Sequence, residues 1–229
     1  MFKGLIIRAA AIVSLGVIGP VSASAQDMYI GIDAIGTVTD FDMDGRNTNG
    51  NFFNTDSQSE SQHGIALNFG LRDKWALGTT KLTPEAEFAW YFDRSVTSAS
   101  FPGLPAPTFF YNSSVESGRL GLNLWALFHE TNHWRAEAGL GLGAMYRDIS
   151  TSDGVVMGSG DDYVLYGKFG LRFIRAIDDR NNLVLGVNYV VADKSDIMLR
   201  NVGGGAPAGN FSMETSSVEL HIGYRRDLN

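Results

Sequence analysis

Residues 134–148, WRAEAGLGLGAMYRD, restrict the folds open to this chain more than any other stretch. Trp134, Ala136, Ala138, Leu140, Leu142, Ala144 and Tyr146 alternate with Arg135, Glu137, Gly139, Gly141, Gly143, Met145 and Arg147. A period of two marks a β-strand with two unlike faces. One face is oily throughout and has an aromatic residue at each end; the other carries charges and glycines. A soluble sandwich turns its charges to water and needs no aromatics at both ends of one long strand. A strand crossing an outer membrane does, because aromatic side chains settle at the two lipid–water interfaces.

The N-terminus agrees with export. MFKGLIIRAAAIVSLGVIGPVSASAQ has a positive start (Lys3, Arg8), an apolar run over 9–19 and a small-x-small site at Ala23-Ser24-Ala25. This predicts a cleaved signal peptide over 1–25, with 26–229 as one domain. Arg8 and Pro20 bound too short a run for a spanning helix, which needs about 20 apolar residues. No later stretch is apolar enough either, so membrane insertion must be by strands. With no cysteine, thiolate metal sites, disulfides and a lipid anchor on cysteine are excluded. A formal charge of −7 argues against a nucleic-acid partner. Mean hydropathy of −0.04 suits a barrel whose lipid-facing and lumen-facing residues average out.

Seven further segments repeat the alternation, at 27–38, 64–72, 82–93, 118–129, 163–173, 183–192 and 216–226. Their apolar faces include Ile30 and Ile32, Leu67 and Phe69, Phe88 and Trp90, Leu122 and Leu124, Phe169 and Leu171, and Leu220 and Ile222. Between them, 39–62, 94–114, 149–161 and 193–212 are rich in polar residues, Gly and Pro and read as long solvated loops. The other connections are short turns. Long and short therefore alternate, and with both termini in the periplasm every long connection lies outside the cell. Even strand number and this asymmetry are what outer-membrane barrels require.

The strand endings NFGLR, GKFGLRF and HIGYRR set a lumen glycine and arginine around a lipid-facing residue. With them the chain, over essentially all of 26–229, resembles the small porin-like outer-membrane barrels of the OmpA/OmpX type. The resemblance implies an all-β, transmembrane, antiparallel up-and-down barrel of about eight strands, located in the outer membrane. It also implies lipid and lipopolysaccharide as surroundings, and periplasmic chaperones and the barrel-assembly machinery as partners in biogenesis. Such proteins usually end on an aromatic residue. This one ends Arg225-Arg226-Asp227-Leu228-Asn229, with Tyr224 and Leu228 keeping outward parity.

Three constellations bear on function. His129-Glu130-Thr131-Asn132-His133 spells H-E-x-x-H, whose chemistry depends on a helix bringing both histidines onto one face. Here it falls in a turn between two strands, so no metal site is expected. A lipid-facing Ser/His pair, as in outer-membrane deacylases, is not expected either, since His63 and His221 read as lumen-facing. The chain is also short for a ten-stranded protease barrel. No catalytic residue, cofactor or enzymatic activity is expected. The third constellation is the inward charge set Arg72, Glu85, Glu87, Arg119, Arg135, Glu137, Lys168, Arg172, Glu219 and Arg225, with Asp33 and Arg147 on the same face. Eight strands leave an interior just wide enough for side chains, which favours a plug of ion pairs over an ion path. The expected role is structural or surface-interacting, through loops 39–62, 94–114, 149–161 and 193–212, with a small passive channel as the alternative.

Overall fold

The computed structural model describes residues 28–47, 52–54, 57–100 and 109–228. The expected signal peptide lies outside them. Eight long strands form the wall: β1 (Met28–Asn47), β3 (Gln58–Leu71), β5 (Thr80–Ser100), β6 (Phe109–Glu130), β7 (Trp134–Ser152), β8 (Val156–Ala176), β9 (Asn181–Asn201) and β10 (Pro207–Asp227). Two three-residue strands, β2 (Phe52–Asn54) and β4 (Trp75–Leu77), pair with β1 and β5. Each long strand pairs antiparallel with its sequence neighbour, and β10 returns to β1 from Tyr29↔Asp227 to Asn47↔Gly209. Over the apolar band the ladder closes on itself without a free edge, the condition for backbone in lipid.

Side-chain parity follows the sequence pattern. Leu140 is 67 % exposed on the outer wall, whereas Glu137 is 2 % exposed inside. Ile32, Leu67, Phe169, Leu220 and Ile222 face outward; Glu87, Lys168, Arg172 and Glu219 face in. On β7 the outward apolar face runs from Trp134 to Tyr146, roughly 40 Å along the strand at about 3.4 Å per residue. With a tilt of about 45° that becomes roughly 28 Å, a hydrocarbon thickness. At one end Arg175 lies 5.3 Å over the Trp134 ring, and at the other the rings of Tyr146 and Tyr163 are 5.2 Å apart.

The four expected loops are corrected by the structure. Most of 39–62, 94–114, 149–161 and 193–212 is strand, and the barrel stands well above its apolar band. Residues 149–161 hold only a tight turn at 153–155. There the Asp153 carboxylate accepts the amides of Val155 and Val156, and Gly154 takes a positive φ of 87° that suits glycine. These stretches hid because their pattern inverts: above the apolar band polar residues point out and apolar ones point in. On β1, for example, Asp40 and Asp42 are exposed while Phe41 and Met43 are buried. Bulges also shift the register between Tyr91 and Arg94 on β5 and around Asp193-Lys194 on β9. The inward residues Phe41, Met43, Val96, Tyr111, Val115, Ile149, Ile197, Leu199, Phe211 and Met213 pack as one apolar core inside this upper barrel.

Between β8 and β9 the ladder is interrupted, with no paired residues between Met157↔Arg200 and Tyr166↔Ala192. Side chains close that seam. A Cβ at Gly158 would lie 3.0 Å from Leu199 Cδ2, and one at Gly160 would lie 3.2 Å from Ile197 Cγ2. The glycines of β7 serve a similar purpose. A Cβ at Gly139 would fall 2.3 Å from the Trp125 ring, and one at Gly143 would fall 2.8 Å from Tyr166. Small residues on β7 thus give the large inward side chains of β6 and β8 their room.

Candidate functional site

Inside the membrane-spanning part, inward parity brings the charged side chains to one level. Glu85 and Glu87 come from β5, Arg119 from β6, Glu137 from β7, Lys168 and Arg172 from β8, and Glu219 and Arg225 from β10. Arg119 donates to Glu219 through Nη1 at 2.7 Å and Nη2 at 2.9 Å, and to Glu87 through Nε at 2.9 Å. Lys168 Nζ lies 2.6 Å from Glu87. Arg172 reaches Glu85 at 2.7 Å and Glu137 at 2.6 Å, and Arg225 reaches Glu85 at 3.3 Å. In the ring order, β6 and β10 lie on opposite sides of the barrel, so the Arg119–Glu219 pair spans its full width.

Neutral groups complete the layer. Glu85 accepts from Tyr29 at 2.6 Å, Trp125 at 2.9 Å and Asn123 at 3.1 Å. Tyr91 donates to Glu219, and His221 sits 3.1 Å from Glu219 and 2.8 Å from the Asn188 amide. Guanidiniums stack on rings, Arg172 4.0 Å over Trp125 and Arg225 3.9 Å over Tyr29. Burying a charge is costly unless partners and hydrogen bonds replace water, and here each carboxylate has several.

Two members of the expected set stand apart. Arg72 pairs with Asp227 at 2.7 Å near the short-turn mouth. Arg135 grips Asp73 at 2.6 Å and Glu130 at 2.7 Å, and touches Glu137 at 3.2 Å, so it links the mouth to the layer. Burial pushes the Asp73 carboxyl up, but Arg135 and Lys81 outweigh it and hold it below the usual carboxylate range. Arg172 and Arg225, which chain direction puts toward that mouth, reach up to Glu85. Tyr29 and the amides of Asn68 and Asn188 belong to the layer without having stood out in sequence. Their inward parity was the only signal.

A cavity of about 20 Å³ lies within the layer, lined in part by Asn68, Asn188 and Arg225. Asn68 Oδ1, Asn188 Oδ1 and Arg225 Nε are buried there without a protein partner. One water needs about 10–15 Å³ and two or more polar partners. A high-resolution crystal structure should show one ordered water bonded to at least two of these atoms; density for none would contradict the packing described.

His63 is corrected: it is exposed on the outer wall, in line with Ile65, rather than lumen-facing. His221 does face the lumen. His129, Glu130 and His133 are exposed around a hairpin turn, Glu130 pairing with Arg135 and Lys81. Among the described residues no group of three or more His, Asp or Glu is arranged to hold a metal ion.

Closed, walled with apolar side chains and built from antiparallel strands, the chain is an integral outer-membrane β-barrel. Its fold is that of the small barrels of this class. Over 87 % of this chain and 95 % of the other, it matches the outer membrane protein OprG from Pseudomonas aeruginosa at 14 % identity and a TM-score of 0.57. Over 88 % and 97 %, it matches the outer membrane protease OmpT from Escherichia coli at 7 % identity and a TM-score of 0.51. No family model and no curated relative matches the sequence. At these identities the likeness is one of fold.

Proposed function

We propose that this barrel is closed to solutes and works through the rim that stands above its apolar band. The observation that carries this reading is the ion-pair layer crossing the lumen, with Arg119 joined to Glu87 and Glu219 from opposite walls. The apolar core around Phe41, Tyr111 and Phe211 supports it, since it fills the same lumen at a second level. In an eight-stranded barrel of this width, two packed layers leave no continuous aqueous path. The long-connection end, opposite the chain termini and short turns, is then the extracellular one, surrounded by lipopolysaccharide. Its stiff strands present polar outward residues such as Asp40, Asp42, Asp196 and Glu214 as an interaction surface.

Proteoliposomes test this directly. Vesicles holding the refolded protein are expected to swell in an isotonic small sugar or glycine no faster than protein-free vesicles. Swelling that rises with protein content would favour the passive channel instead.

A further inference from the structure

We propose that the cavity beside Arg147, between the ion-pair layer and the apolar core, binds one small monovalent anion of halide size. The layer below balances itself: Arg119, Lys168, Arg172 and Arg225 face Glu85, Glu87, Glu137 and Glu219. Arg147 lies above it, 1 % exposed, and every partner is a neutral oxygen. Its Nη1 donates to Asp193 O at 2.8 Å, Ser195 Oγ at 3.0 Å and Met213 O at 3.3 Å, and its Nη2 donates to Thr215 Oγ1. Among the described residues no carboxylate makes an ion pair with it. Asp162, opposite it on β8, and Asp193 and Glu214 act only at longer range. These contacts anchor the bulge of β9 but leave a buried positive charge with no carboxylate in direct contact, which is costly in a confined site.

The adjoining cavity has the lining an anion needs. It measures about 30 Å³ and is bordered by Arg147, Thr39, Gln62, Ser117, Thr215 and Ser217. Thr215 accepts from Arg147, so its own proton is free to point elsewhere. Gln62 gives one amide proton to Phe92 O at 2.8 Å and keeps a second. Glu219 also borders the cavity, but its oxygens are taken by Arg119, Tyr91 and His221. At about 10–15 Å³ per water the volume is that of about two waters, which matches a single halide ion better than the bulkier phosphate, sulfate or carboxylate ligands. Tyr91, Phe41, Val115 and Met145 complete the wall, and the apolar part of it favours a weakly hydrated ion, chloride or bromide over fluoride. This holds whether or not the lumen conducts.

The barrel is refolded and crystallised in sodium bromide, with anomalous data collected at the bromine edge. The expected result is a bromide peak in the cavity in contact with Arg147. In parallel, the urea midpoint of the wild type should be higher in chloride than in gluconate at equal ionic strength, because a ligand of the folded state raises its stability. The increment should vanish in Arg147→Met and shrink in Ser117→Ala/Ser217→Ala, which keeps the cation should Arg147→Met fail to fold. Bromide only at exposed surface arginines, or an unchanged chloride increment in the serine variant, would overturn the site.

Discussion

Arg119→Met is expected to lower the stability of the refolded barrel by about 3–5 kcal/mol, the usual cost of breaking a buried ion pair from one side. The side chain is 0 % exposed and holds Glu87 and Glu219 together, while its guanidinium lies 5.4 Å from the Tyr91 ring and 5.5 Å from that of Tyr166. Removing it strands two carboxylates in a space too small to rehydrate them fully. Arg94→Met is the control. Arg94 pairs with Glu60 where the side chains are 41 % and 29 % exposed, so solvent screening reduces its loss to about 0–1 kcal/mol. Denaturant unfolding in vesicles measures both. Equal midpoints would mean that the lumen is wet, and the closed-barrel reading would fall with the difference.

Phe211→Ala should cost a comparable amount, about 3–5 kcal/mol, because it empties space in a packed apolar core. Phe211 is fully buried, with its ring 5.7 Å from that of Tyr111. Phe110→Ala, at an exposed neighbouring position, should stay within about 0.5 kcal/mol. If the upper barrel were a set of mobile loops, the two changes would be alike and small.

That upper barrel is also where sequence reading fell short. Within the membrane the rule is simple: lipid takes the oily face, and parity alone assigned Leu140 outward and Glu137 inward. Above the membrane water takes the outer face, so the same strand reverses its pattern. Phe41 and Met43, each flanked by aspartates, then look like isolated apolar residues in a polar loop. The bulges at Asp93 and Asp193 moved the register by one and broke the alternation further. The ion-pair layer was legible as a plug of inward ion pairs, but not in its wiring: Arg72, expected among the partners of the glutamates, pairs with Asp227. Which arginine reaches which glutamate depends on ring closure, which puts β6 opposite β10, and no local pattern carries that. His63 shows the converse failure: its parity with Ile65 already put it outside.

Single-channel recording in a planar bilayer tests the closed lumen most directly. The wild-type barrel is expected to give no steady conductance steps in molar potassium chloride, because Arg119, Glu87 and Glu219 bridge the lumen beneath a second, apolar layer. Discrete, voltage-stable openings from the folded wild type would contradict the account and establish a pore.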